Sequence, residues 1–124
     1  MEKVIEIDGK EVKFRATAAI PRLYRIKFGR DIMQDMKSIE AALKAAEKNE
    51  GPIPPKLLEI FEDVSYLMAK HADTEMEAKS PDEWLEGFNT FSIYMVFPQL
   101  LDLWKTNNMT LGESKKKVGP STGK

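Results

Sequence analysis

Apolar and polar residues alternate in KVIEI and again in EVKFRA, on either side of Asp8-Gly9-Lys10. Alternation around an Asp-Gly pair, whose residues tolerate positive φ, predicts a β-hairpin with Val4, Ile5 and Ile7 set against Val12 and Phe14. A lone hairpin is marginal in water, so it must lie on the helices that follow. From Thr17 the period lengthens. Thr17 can cap a helix that runs to the terminator Gly29, with Pro21 in its first turn and Ile20, Leu23, Tyr24 and Phe28 on its apolar side. Asp31 restarts a helix in which Ile32, Met36, Ile39, Leu43 and Ala46 form a narrow seam suited to another helix, while Lys37, Glu40, Lys44, Glu47 and Lys48 coat the outside. Gly51-Pro52-Ile53-Pro54-Pro55 ends it and starts the next. Lys56 to His71 is the clearest amphipathic stretch, with Leu57, Ile60, Phe61, Val64, Met68 and His71 on one face and Glu59, Glu62, Asp63 and Lys70 on the other.

ADTEMEAK, residues 72–79, is acidic and poor in apolar residues, which predicts a mobile surface loop. Ser80-Pro81-Asp82-Glu83 is a helix start, with Ser80 as cap and Glu83 placed to complete a capping box; Trp84, Leu85 and Phe88 point inward. Thr90 to Asn107 follows, capped by Asn89 or Thr90 and interrupted at Pro98, which deletes one backbone hydrogen bond and should kink the helix. Apart from a strip of Ser92, Met95, Gln99, Asp102 and Thr106 it is largely apolar, and such a helix is normally buried. With Phe91, Tyr94, Phe97 and Trp104 on it, this stretch is expected to be the central helix. It is too interrupted to span a membrane, which takes roughly 18 to 20 apolar residues. The expected architecture is mainly α: a compact bundle of about five helices with a small N-terminal β-hairpin. Residues 1–112 form one domain, and residues 113–124 a basic tail too polar to order itself.

Length and composition agree with one domain, since 124 residues with 42% hydrophobic side chains can bury a sizeable core. The absence of cysteine excludes disulfides, thiolate metal sites and cysteine nucleophiles, and fits a reducing cytoplasm. MEKVIEIDGK has no basic and apolar leader pattern, so no secretory signal is expected. Charge is distributed unevenly under a net value of −1. Between Val12 and Arg30 lie Lys13, Arg15, Arg22, Arg25, Lys27 and Arg30 with no acid, whereas Glu59 to Glu86 holds nine acids against Lys70 and Lys79. Either the two blocks face each other within the chain, or one meets a partner by charge complementarity.

Catalytic chemistry finds no foothold. His71 is the only imidazole, and with no Cys, second His or nucleophile motif no hydrolytic triad can be built. His71 with Asp73, Glu75 and Glu77 lacks the spacing of a metal loop; a His meeting the last carbonyls of its helix is the expected role. The Asp8-Gly9 turn lacks the further oxygen ligands of a calcium loop, and Gly29 and Gly112 are isolated, so no phosphate cradle exists. No cofactor or metal is expected. The Arg15 to Arg30 cluster raises nucleic-acid binding, against which stand a pI near 5.9 and the lack of a helix-turn-helix or stacking motif.

Three segments carry a family likeness: AAIPRLYRIKFGRDI (18–32), FEDVSYLMAKHAD (61–73), and SPDEWLEGF (80–88) with FSIYMVFPQLLDLWKTNN (91–108). Together they resemble the small tail assembly chaperones encoded by long-tailed phages and prophages of Gram-positive bacteria. The resemblance implies a non-enzymatic helical protein of the host cytoplasm, absent from the mature virion. It would bind the long helical tape-measure protein, keep it soluble and bring tail-tube subunits to it. It also implies a longer product made by ribosomal slippage near the end of the frame; Lys115-Lys116-Lys117 can be encoded by the adenine run that slippage prefers, or can be a solubilising basic tail. Neither nucleic acid nor membrane is expected as a partner, and self-association is a further option.

Capture of amphipathic helices calls for apolar anchors framed by polar residues. Leu100, Leu103, Trp104 and Leu111 at the end of the central helix are the candidate groove, with Tyr24 and Phe28 as neighbours; the other role open to Tyr24, Phe28 and Leu100 is core. Arg22, Arg25 and Arg30 are the candidates to steer an acidic partner. The alternative is a non-enzymatic scaffold of a mobile-element protein that homo-oligomerises through the Ile32 to Ala46 seam.

Overall fold

Asp8 and Gly9 both take positive φ, 56° and 75°, and close a two-residue turn between β1 (Glu2–Ile7) and β2 (Lys10–Arg15). The strands are antiparallel in a register that sets Ile5 opposite Val12 and Ile7 opposite Lys10. Because side chains alternate across a strand, Ile5, Ile7 and Phe14 face inward and are buried, while Val4 is exposed. A computed structural model describes the backbone of residues 1–118 and the side chains of residues 1–108. Among these residues the hairpin is followed by five helices: α1 (Ile20–Phe28), α2 (Ile32–Glu47), α3 (Pro55–Ala72), α4 (Pro81–Leu85) and α5 (Ile93–Val118). The mainly helical bundle with a small hairpin is therefore the architecture of this chain.

Local chemistry sets most helix ends. Gly29 is left-handed at φ 69° and its amide donates to the Arg25 carbonyl, closing α1. The Asp31 side chain accepts from the Met33 amide at 3.0 Å and opens α2, whose seam of Ile32, Met36, Ile39 and Leu43 is buried. Ser80 accepts from the Glu83 amide at 3.2 Å to open α4, while the Glu83 carboxylate takes the amide of Lys79 at 2.9 Å.

The centre of the bundle is α3, and this corrects the expectation that the helix beginning near Thr90 holds that place. α3 touches β2, α1, α2, α4 and α5, whereas α5 rests mainly on α3 and β1. Between Ile60 and Ala69 most of α3 is enclosed: Ile60, Phe61 and the unbroken run Val64 to Ala69 are buried. Ser65 fits there because its hydroxyl donates to the Phe61 carbonyl at 2.8 Å. α5 begins at Ile93, later than the expected cap, with the Ser92 carbonyl accepting the Met95 and Val96 amides at 3.2 and 2.9 Å; upstream of it, the Asn89 amide donates to the Asp8 carboxylate of the hairpin turn at 2.8 Å. Tyr94, at its start, is 54% exposed instead of buried, and Met95, on the expected polar strip, is 68% exposed. Past Pro98, the Gln99 side-chain amide donates to the Met95 carbonyl at 3.0 Å.

Two further expectations change. The 72–79 connection is tied to α3, since the Lys70 ammonium donates to the Met76 carbonyl at 2.6 Å and the Tyr66 hydroxyl to the Ala78 carbonyl at 3.1 Å. α5 also runs through Val118, so residues 113–118 of the expected tail have helical backbone; residues 119–124 lie outside the described residues. Over the end of α3 sits an aromatic group centred on Trp84, whose ring meets Phe88 and Phe91 at 5.2 Å and Tyr66 and Phe14 at 6.2 and 6.3 Å. Such pairs contribute about 0.5–1.5 kcal/mol each beyond burial.

Candidate partner-binding groove

α2 and α5 both lie against α3, and between them remains an open groove of about 450 Å³. Met33 and Met36 form one wall; Leu101 and Trp104 form the other. Trp104 is 4% exposed and Met36 2%, so they make the floor, while Met33, at 47%, stands at the lip. The rim is polar: Lys37 and Glu40 from α2, Lys105 and Asn108 from α5. The Lys105 ammonium donates to Glu40 Oε2 at 3.0 Å, and Lys44 reaches the same oxygen at 3.5 Å. Lys105, with Lys44 behind it, holds the Glu40 carboxyl below its usual range. Lys37 is exposed and has no carboxylate partner among the described residues.

Of the candidates named from sequence, only Trp104 lines this groove. Leu103, one residue away, faces the opposite side and helps line a recess of about 320 Å³ beside Met1, Glu2 and Lys3. Leu100 is core, at 0% exposure. Tyr24 is buried and Phe28 packs on its ring at 5.1 Å, away from the groove. The Leu111 side chain lies outside the described residues. Met33, Met36, Lys37 and Leu101 were not singled out as groove residues; the available signal was Met33 standing beside the Ile32–Met36 seam as an extra apolar residue.

The basic candidates also separate. Arg22 and Arg25 are exposed, with no ion pair among the described residues, and flank Leu23 and Ile26, which are 36% and 68% exposed. Arg30, in contrast, is structural. Its guanidinium donates to Asp63 at 2.8 Å, to Asp35 at 3.0 Å and to the Tyr24 hydroxyl at 3.0 Å, and Tyr24 donates on to Asp35 at 2.6 Å. A side chain spent on three internal acceptors is not available to steer a partner, which corrects its assignment. This is also the one described ion pair joining the basic and acidic blocks of the sequence, because Lys13 and Arg15 both turn to Glu2.

His71 does not close its own helix. Its Nε2 meets the Thr17 hydroxyl at 3.0 Å, linking the end of α3 to the segment before α1, and burial, with Arg15 and the amino terminus nearby, holds the imidazole below its ordinary pKa of 6.5. Among the described residues no three His, Asp or Glu side chains are grouped to hold a metal ion, and no helix is long and apolar enough to cross a membrane. Comparison with protein-family models, with curated proteins and with solved structures finds no match for this chain.

Proposed function

We propose that this protein is a tail assembly chaperone of the family its sequence resembles, holding helices of a tape-measure protein in the groove between α2 and α5. The observation that supports this is the groove itself: an apolar floor of Met36 and Trp104, with Met33 and Leu101 on its walls and a charged rim. Helix-in-groove recognition needs that combination. Methionine walls adapt to different apolar side chains, which suits a partner offering many non-identical helical segments. Delivery of tail-tube subunits in the host cytoplasm, and a longer frameshifted product sharing this domain, belong to the same proposal.

The homo-oligomerising scaffold loses its main support, because the Ile32, Met36, Ile39 and Leu43 seam is consumed inside the chain, where α2 packs on α3. The deciding experiment is co-expression with the tape-measure protein that this reading predicts to be encoded downstream of this gene. The tape-measure protein should become soluble and co-purify, and Leu101→Ala, on the groove wall, should weaken capture while the chaperone remains folded by its melting curve. A tape-measure protein equally soluble with and without this chain would refute the proposal.

A further inference from the structure

Resting on that chaperone reading, we infer that the groove is selective for charge: its occupant is about two turns of an amphipathic helix whose apolar stripe is flanked by acidic residues. The length follows from the walls. Met33 to Glu40 and Leu101 to Asn108 each span roughly 10 Å at about 1.5 Å per residue. The sign follows from the rim. Among the described residues of the rim, Lys37 and Lys105 stand against Glu40 alone, two positive charges less one negative, or a formal +1, and Lys44 behind the rim helps to neutralise that one carboxylate. Glu40 is already engaged by Lys105 and Lys44, so it has little to offer an incoming cation, whereas Lys37 is exposed and unpaired among the described residues. An acidic flank gains a partner at Lys37; a basic flank meets two lysine ammoniums at close range.

The same charges argue against two other occupants. The end of this chain, residues 113–124, carries Lys115, Lys116, Lys117 and Lys124 against Glu113. A second copy docking groove to groove would oppose like rims, since a two-fold contact sets the same patch on both sides.

The test uses the full chain and two synthetic helical peptides with the same leucine stripe, one flanked by glutamates and one by lysines, with binding followed by fluorescence anisotropy. The acidic peptide should bind at least about tenfold more tightly at low salt, and the preference should shrink as salt is raised. Lys37→Glu, at an exposed position, should remove most of that preference without shifting the melting curve. Binding of neither peptide, or a preference unchanged in both Lys37→Glu and the Lys37→Glu/Lys105→Glu double variant, would overturn the inference. So would a more than tenfold rise in affinity on deleting residues 113–124, which would give the groove to the chain's own tail, or a dimer that the peptide dissociates, which would give it to a second copy. The two proposals fail separately. Tape-measure capture unaffected by Lys37→Glu overturns the charge selectivity alone, while charge-selective peptide binding without tape-measure capture overturns the chaperone assignment alone.

Discussion

Arg30 and Asp63 meet at 2.8 Å, and through this contact the turn after α1 is fastened to the central helix α3. Burial pushes the Asp63 carboxyl above its usual range while Arg30 pulls it down, and Asp35 and Tyr24 lean on the same guanidinium. Arg30→Ala leaves two half-buried carboxylates without their cation and should cost about 2–3 kcal/mol, less than for a fully buried pair because Arg30 is 26% exposed. Arg30→Lys should recover only part of this, since an ammonium lacks the planar fork that reaches three acceptors. Chemical denaturation of both variants checks it; a lysine variant as stable as the parent would show that charge alone suffices.

Groove variants need a choice of residue. Trp104 is enclosed, so Trp104→Ala should cost about 3–5 kcal/mol and confound any binding measurement. Leu101 is half-buried on the wall of the same groove, and Leu101→Ala should cost only about 1 kcal/mol. Thermal melts of the two variants should separate accordingly, with only the Leu101 variant keeping a melting curve near the parent's.

His71 makes stability depend on pH in one direction. Folding holds its pKa below the ordinary 6.5, so the folded state favours the neutral ring. Its stabilising contribution is complete above 6.5 and is lost as pH falls from there through the lower folded value. Denaturation at a series of pH values between 7 and 5 should show this decline, and His71→Gln should flatten it. An unchanged slope in the variant would assign the decline to other groups.

Glu62 acts in the opposite sense. Burial, then the neighbouring Asp63, Glu59 and Asp82 carboxylates, raise its pKa, so folding favours its protonated form and the ionised group weighs against the fold as pH rises through the raised value. Glu62→Gln should therefore stabilise the protein at neutral pH, by up to about 1 kcal/mol, and the gain should vanish once Glu62 is protonated in both states. A destabilised variant at neutral pH would mean that the carboxylate has a favourable contact.

Local chemistry was legible from sequence because it depends on neighbours a few residues away. Asp8 and Gly9 turn the hairpin, Asp31 and Ser80 open helices through their own side chains, Gly29 ends one, and the Ile32 to Leu43 spacing marks a buried face. What the tertiary structure alone decided is which faces find partners. Apolar content ranked the helix carrying Phe97 and Trp104 as central, yet burial depends on how closely other elements surround a helix: β2, α1, α2, α4 and α5 pack on α3, whereas α5 packs mainly on α3 and β1 and meets α2 across an open groove. Tyr94 thus remains exposed, while Tyr66, no more apolar, is enclosed. The groove is non-local in the same way. Met33 and Leu101 are far apart in the chain, and only the packing of α2 and α5 on a shared third helix leaves the space between them. Arg30 was indistinguishable in sequence from Arg22 and Arg25; the arrival of Asp63 from α3 makes it structural and leaves the other two facing solvent.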